Sequence, residues 1–413
     1  WLKHQQKCEL RRILAWSKMS DPSNPIPYLR SRGGIGAAMR EVTTHPTTNS
    51  ATLSSAPRVL VRSAFARAFT TILTSLTRKR TVAGLLVFAM ALLGIDQAVD
   101  SLQRMLIYHP VRYGALQKDT VQMQAALARY GYELREVDYK VQIDQLLTRR
   151  TVEQRAFLVM PSEEGPLEAL WILYGGNAMV AIDWFPFVVD VMEHSANIAR
   201  HGASAKRAFL LLDYPGYGYN AGETNSLHTL RAAESAVKQS LEALRGREVA
   251  DVRYLGHSLG GAAVMQLAAR LAESRPAWLE RTLPVGQMVL SATFTSIPGM
   301  GQVIFGQLPG ARVVISLLAK FTRHRWDNEA NLKKIIDAYK GNDRRPNITF
   351  VHGRRDEIVP VSLGHTLYSI CHDKDYDSCC FIESKTAHHN DILQRELNTY
   401  LDLICTGNPP EGH

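Results

Sequence analysis

From about residue 105 onward, short apolar runs alternate with amphipathic stretches. The runs are "RAFLVM" (155–160), "LEALWILYGG" (167–176), "RAFLLLDYPG" (207–216), "VRYLGHS" (252–258), "QMVLSATF" (287–294), "NITFVHG" (347–353) and "CCFIES" (379–384). Most are continuous rather than alternating, the pattern of a strand covered on both faces. Between them, Leu230, Ala233, Val237, Leu241 and Leu244 recur at helical spacing, as do Leu393, Leu397, Tyr400 and Ile404 near the end. Strands separated by helices in this rhythm predict an α/β fold with a mostly parallel central sheet and helices on both faces. One interval breaks the rhythm: about 50 residues separate the fifth and sixth runs and include the apolar "ARVVISLLAKF". An interval that long predicts a helical lid or insertion at about 295–345.

Ahead of this body the pattern is different. Residues 1–60 have no sustained apolar period and read as a basic, disordered or targeting extension. Next, Phe65, Phe69, Ile72 and Leu76 form an apolar helix face, and the uncharged run "VAGLLVFAMALLGI" follows at 82–95. Fourteen helical residues span roughly 21 Å against a hydrocarbon core of ~30 Å. The segment is therefore a candidate single-pass anchor only if the bilayer thins or its flanks contribute, and a cleaved signal or transit element is the other reading. If it spans, Arg78, Lys79 and Arg80 stay cytosolic. The expected organisation is the extension, residues 61–104 with the candidate anchor, a folded α/β body at 105–405, and a tail at 406–413.

Charge sharpens the division. The chain of 413 residues carries +9 overall, but residues 1–80 hold 14 Lys and Arg against Glu9, Asp21 and Glu41. The body is close to neutral and lacks the basic stripe that nucleic-acid binding needs, so no nucleic-acid partner is expected. Five cysteines are too few for a disulfide scaffold. A bridge from Cys371 or Cys405 to the Cys379/Cys380 pair is open in an oxidising compartment, and buried thiols are the alternative.

Sites in such sheets collect beyond the carboxyl ends of the strands. There "GHSLGG" sets Ser258 between Gly256 and Gly260, directly after a strand and before an alanine-rich helix. Small flanking residues permit the sharp turn that lifts a nucleophilic hydroxyl clear of the sheet. A serine needs a base and a group to orient that base. Asp356 in "VHGRRDEIVP" and His389 in "SKTAHHNDIL" supply them in the chain order expected of this fold. Glu357 and His388 are the neighbouring alternatives; His389 is preferred because Asn390 can then cap the last helix. Oxyanion donors are expected from the N–H of Leu259 and from the "YGGNAM" turn, where Gly175 and Gly176 aim the N–H of Asn177 or Ala178 inward. "GIGAAM" at 34–39 follows no strand, "DKDYD" at 373–377 lacks the rest of a calcium loop, and there is no P-loop or HExxH, so no cofactor and no metal are expected.

Taken together, GHSLGG, "LDYPGYGYNAGET", "TFTSIPGM", "HGRRDEIVP" and "HHND" resemble the α/β-hydrolase superfamily over roughly residues 105–405. More narrowly they are similar to its membrane-associated serine hydrolases, the acyl-protein thioesterases and lysophospholipases. The resemblance implies an α/β-hydrolase fold with a lid, cleavage of an acyl ester or thioester of a lipid or acylated protein, and a membrane-linked N-terminus in an endomembrane or mitochondrial setting. Where family members have an HGN turn, this chain has Gly175, Gly176 and Asn177, which puts the second oxyanion donor in question. A membrane-tethered binding protein without catalysis and a serine peptidase are the rival readings.

Overall fold

The computed structural model describes residues 96–408, apart from 115–118, 145–147, 200–204, 307–309, 343–344 and most of 275–284, together with residues 90 and 94. The basic extension, the amphipathic stretch after it and nearly all of the candidate anchor at 82–95 lie outside the described residues. Among those described, no helix is long and apolar enough to cross a membrane.

Eight strands form one sheet: β1 (Tyr132–Asp144), β2 (Arg149–Pro161), β3 (Leu167–Tyr174), β4 (Arg207–Leu212), β5 (Val249–His257), β6 (Val285–Ser291), β7 (Asn347–Gly353) and β8 (Cys379–Ser384). Their order is β1-β2-β4-β3-β5-β6-β7-β8. Strand β2 runs antiparallel to both neighbours, and every pairing from β4 to β8 is parallel. The continuous apolar runs do become the interior strands. In β3, Leu170, Trp171, Ile172, Leu173 and Tyr174 are all fully buried, and each large apolar side chain so covered contributes about 1.5–3 kcal/mol.

Two strands depart from the expected pattern. Strand β1 has no counterpart among the apolar runs. It alternates buried Val137, Tyr139, Val141 and Ile143 with exposed polar residues, because it is a sheet edge with only one covered face. Strand β8, at the other edge, is only half-buried over Cys379–Phe381 rather than covered on both faces.

The helices follow the same logic. Helix α1 (Asp119–Ala128) precedes β1, α2 (Phe185–Ala199) follows β3, α3 (Ser226–Ala243) follows β4, and α4 (Leu259–Ser274) follows β5. The small side chains of α4 let it sit close on the sheet, and twelve of its residues are buried. The long interval after β6 contains α5 (Ile297–Phe305), α6 (Ala311–Leu318) and α7 (Asn328–Tyr339). Helix α7 buries Leu332, Ile335 and Ile336 against α4 and so serves as the crossover to β7; the part that departs from a plain crossover is α5 with α6. Val313 on α6 is exposed and Ile315 half-buried, while the side chains of Val314, Leu317 and Leu318 lie outside the described residues. After β7 comes α8 (Val361–Asp373), joined to the start of β8 by a Cys371–Cys379 disulfide.

The last apolar stripe is not one helix. Short α9 (Ile392–Arg395) and α10 (Leu397–Thr406) meet at Glu396, and Ile392 rather than Leu393 is the buried residue of the first. Asn390 does not cap it, contrary to expectation; Asp391 occupies the position before the helix and accepts from the His388 N–H at 2.7 Å.

Chain order reverses at β3: the chain leaves it for β4 on one side and returns to β5 on the other. The loops after β3 and β5 therefore diverge, the place in an open α/β sheet where binding sites form beyond the carboxyl ends of the strands.

Candidate active site

Ser258 is the single residue between β5 and α4, and its φ of +56° lies in the left-handed region that few residues other than glycine adopt. The turn is held from behind: Ser258 N–H donates to the Ser291 carbonyl at 2.8 Å, and Thr293 Oγ1 donates to the Ser258 carbonyl at 2.9 Å. A Cβ at Gly256 would strike the Gly260 carbonyl, and one at Gly260 would strike that of Tyr174. Glycine at both positions is therefore what lets β5, α4 and the end of β3 converge on the serine.

The structure brings three distant side chains together. His389 Nε2 lies 2.9 Å from Ser258 Oγ, and His389 Nδ1 lies 2.7 Å from Asp356 Oδ2. All three residues are buried. With the carboxylate ionised, the only consistent tautomer has Nδ1–H donating to Asp356 and Nε2 accepting from the serine hydroxyl. The neighbours Glu357 and His388 pair with each other at 3.0 Å, outside this line and exposed to solvent.

Asp356 is kept ionised by its donors. Burial pushes its carboxyl upward, but hydrogen bonds from His352, His389 and the Val359 N–H more than offset this, and it sits well below the ordinary carboxylate range. The Ile358 and Val359 N–H groups reach Oδ1 at 2.9 and 2.7 Å. His352 Nε2, 2.8 Å from the Val359 carbonyl, is also 3.3 Å from Asp356 Oδ2. On the other side of this cluster, the His257 ring packs against His389 with centroids 4.9 Å apart. Burial, with His389 adjacent, pushes His257 down to about 3, so it is neutral at ordinary pH. Its Nδ1 is 3.2 Å from Ser291 Oγ, which takes the Tyr400 hydroxyl at 2.6 Å.

The loop after β3 lies alongside. A Cβ at Gly176 would come within 3.4 Å of Ser258 Cβ. Most N–H groups of this loop are committed within the fold. Gly176 donates to Met179 Sδ, Met179 to the Gly176 carbonyl, Val180 to Asp183 Oδ2 and Ala181 to Asp213 Oδ1. The Ala178 N–H bonds the Tyr217 hydroxyl. The Asn177 N–H is left without a partner among the described residues. Leu259 opens α4, and its N–H is one of those at a helix start that have no carbonyl of their own helix to meet.

Four residues of this neighbourhood carried no role in the sequence reading: His257, His352, Asp213 and Tyr217. Three of them meet partners from other loops, His257 with His389, Asp213 with Ala181 and Tyr113, and Tyr217 with Asn177, whereas His352 meets Asp356 within its own turn after β7. Among the described residues, no group of three or more His, Cys, Asp or Glu side chains gathers in the manner of a metal site.

Comparison with known proteins adds three findings. A family model described as "Alpha/beta hydrolase family" matches residues 175–369. A search of curated protein sequences returns no match. Among solved structures, the chain is similar to an esterase of Pyrococcus furiosus (12% identity, 68% of this chain and 93% of that one, TM-score 0.44). It is also similar to an alpha-beta hydrolase of Vibrio vulnificus (13%, 72% and 96%, 0.42) and to Est1E of Butyrivibrio proteoclasticus with ferulic acid bound (18%, 62% and 97%, 0.42). With its eight-stranded, mostly parallel sheet, a serine turn after β5 and a match to that family's model over residues 175–369, the chain has an α/β-hydrolase fold.

Proposed function

We propose that the protein is a serine hydrolase that cleaves carboxylic esters or thioesters through an acyl-enzyme. The observation that carries this is the continuous line from Ser258 Oγ through His389 to Asp356, at 2.9 and 2.7 Å, on a serine held at φ +56°. In the reaction, Ser258 Oγ attacks the acyl carbonyl while His389 Nε2 takes its proton. Asp356 holds the ring in that tautomer and stabilises the imidazolium that forms. His389 then protonates the leaving alkoxide or thiolate, the acyl group stays on Ser258, and a water deprotonated by the same nitrogen releases the acid. Neutral His257 adds no positive charge beside that imidazolium.

The oxyanion of each tetrahedral intermediate accepts from the Leu259 and Asn177 N–H groups in this reading. Asn177 is the better donor than Ala178, whose N–H is already bonded to Tyr217. Each such donor is worth roughly 10²–10³ in rate. The test is labelling with a fluorophosphonate probe: the parent protein labels and Ser258→Ala does not. A variant that labels like the parent removes the assignment.

The substrate we propose is a long-chain acyl ester or thioester met at a membrane. Support comes from the apolar α5–α6 insertion and from the uncharged run at 82–95 ahead of the body. Hydrolysis of p-nitrophenyl esters should rise with chain length; a preference for acetate removes this substrate class. Carbonate extraction of membranes tests the anchor independently, since a released protein has none.

A further inference from the structure

The side chain of Asn177 takes no part in the chemistry just described, yet both its amide nitrogen and its carbonyl oxygen are engaged within the fold. Its Nδ2 donates to the Ile107 carbonyl at 2.6 Å. Its Oδ1 accepts from the His109 N–H at 3.0 Å and from the Tyr217 hydroxyl at 2.7 Å. A carbonyl on one side and an N–H on the other fix the orientation of the amide, so only asparagine's mixed donor and acceptor satisfies both. Aspartate would set an oxygen against the Ile107 carbonyl, and alanine would remove all three of these bonds.

These partners come from two segments remote in sequence. Ile107 and His109 belong to a strap that leads from the helical residues 97–107 across the carboxyl ends of the strands. The strap is itself fastened: the Gly218 N–H donates to the Val111 carbonyl at 2.8 Å, Arg112 to the Asn220 carbonyl at 2.8 Å, and Tyr113 to Asp213 Oδ2 at 2.7 Å. Tyr217 belongs to the turn after β4, whose Tyr214 hydroxyl also holds the Gly175 carbonyl at 2.7 Å. The Tyr217 oxygen further receives the N–H groups of His109, at 3.0 Å, and Ala178. The loop after β3 is thus braced to the strap through the Asn177 amide, and to the turn through that amide and the bonds at Gly175 and Ala178.

We propose that the Asn177 side chain, held by Tyr217 and by the 107–109 strap, is a positioning device that presets the Asn177 backbone N–H for the oxyanion. The inference rests on the hydrolase reading above. Preorganised donors act because they do not have to reorient when charge develops. Loosening the brace therefore slows formation of the tetrahedral intermediate and leaves ground-state binding nearly intact.

The experiment uses p-nitrophenyl butyrate with the parent, Asn177→Ala, Tyr217→Phe and the double variant, alongside inhibition by an alkyl trifluoromethyl ketone. Asn177→Ala should lose about 10- to 100-fold in kcat with KM within about threefold, and affinity for the ketone should fall in parallel with kcat/KM. Tyr217→Phe should lose several-fold in kcat, and the double variant should lose clearly less than the product of the two single losses, because both variants break the same bond to the Asn177 amide. Parental kcat in Asn177→Ala, or multiplicative losses in the double variant, overturns the proposal. Where Asn177→Ala fails to fold, Tyr217→Phe decides, and an unchanged kcat there overturns it equally. A parent that neither labels with fluorophosphonate nor turns over removes the hydrolase reading and this one with it, whereas an active parent with unaffected variants removes this one alone.

Discussion

His352 and His389 converge on the same oxygen of Asp356, at 3.3 and 2.7 Å respectively. The carboxylate is therefore held between two imidazoles, one turned toward the serine and one toward the Val359 carbonyl. His352 touches no reacting atom in the proposed mechanism; it fixes the acid that orients the base. His352→Phe keeps a ring of similar size and removes the donor. A hydrogen bond to a charged group is worth about 1.5–3 kcal/mol, so kcat/KM for a p-nitrophenyl ester should fall about 10-fold or more. Because Asp356 loses a donor, the acid limb of the pH profile should also move upward. An unchanged profile would show that His352 only fills space.

The paired neighbours give a sharper contrast. His388 and Glu357 form an exposed pair at 3.0 Å, one residue along from His389 and Asp356. An exposed pair of this kind contributes about 0–1 kcal/mol to stability. His388→Ala should retain at least about a third of parental kcat, while His389→Ala should lose it by a factor on the order of 10³ or more. Steady-state rates at saturating ester distinguish them, and a reversal of the two effects would reassign the base.

Much of this was legible because chain chemistry and topology agree. Continuous apolar runs identify interior strands, since both faces must be covered, and β3 and β5 follow that rule. The same rule overlooks β1, an edge strand whose charged alternate positions face solvent. Ser258, Asp356 and His389 stand out because each follows a strand end, a local property. Asn390 misled for a related reason: helix caps are also local, but the last apolar stripe folds as two helices with Asp391 at the head of the first. His257 and Tyr217 were beyond reach because their roles depend on His389 and Asn177, partners brought from other loops by the fold; His352 lies four residues before Asp356, but only the folded turn after β7 sets its ring against that carboxylate.

The Cys371–Cys379 bridge ties the end of α8 to the beginning of β8 across a sequence separation of 8. Closing so short a loop restricts the unfolded chain by about 2.5 kcal/mol on a chain-entropy account. Cys371→Ala should therefore lower the midpoint of thermal unfolding by a few degrees. Because the bridge lies at the outer edge of the sheet, hydrolysis by the folded variant should match the parent within about twofold. Addition of reductant should shift the parent by the same amount and leave the variant unmoved; equal shifts in both would place the effect elsewhere.

Asp213, at the end of β4, is fully enclosed, and burial pushes its carboxyl up from 3.8 to about 7. Its Oδ1 receives the Ala181 N–H at 2.7 Å and its Oδ2 the Tyr113 hydroxyl at 2.7 Å, while Arg112 and Asp183 act on it with opposite sign. A carboxyl whose folded value exceeds its unfolded one contributes stability that is full below about pH 4 and is lost as pH rises through about 7. Asp213→Asn retains an acceptor for Ala181 and removes the titration. Its stability relative to the parent should thus improve from pH 5 to pH 8 by on the order of 2 kcal/mol. Urea midpoints of both proteins at the two pH values measure this directly. Parallel pH profiles would mean that the enclosed carboxylate ionises without penalty, supported by the Ala181 and Tyr113 donors alone.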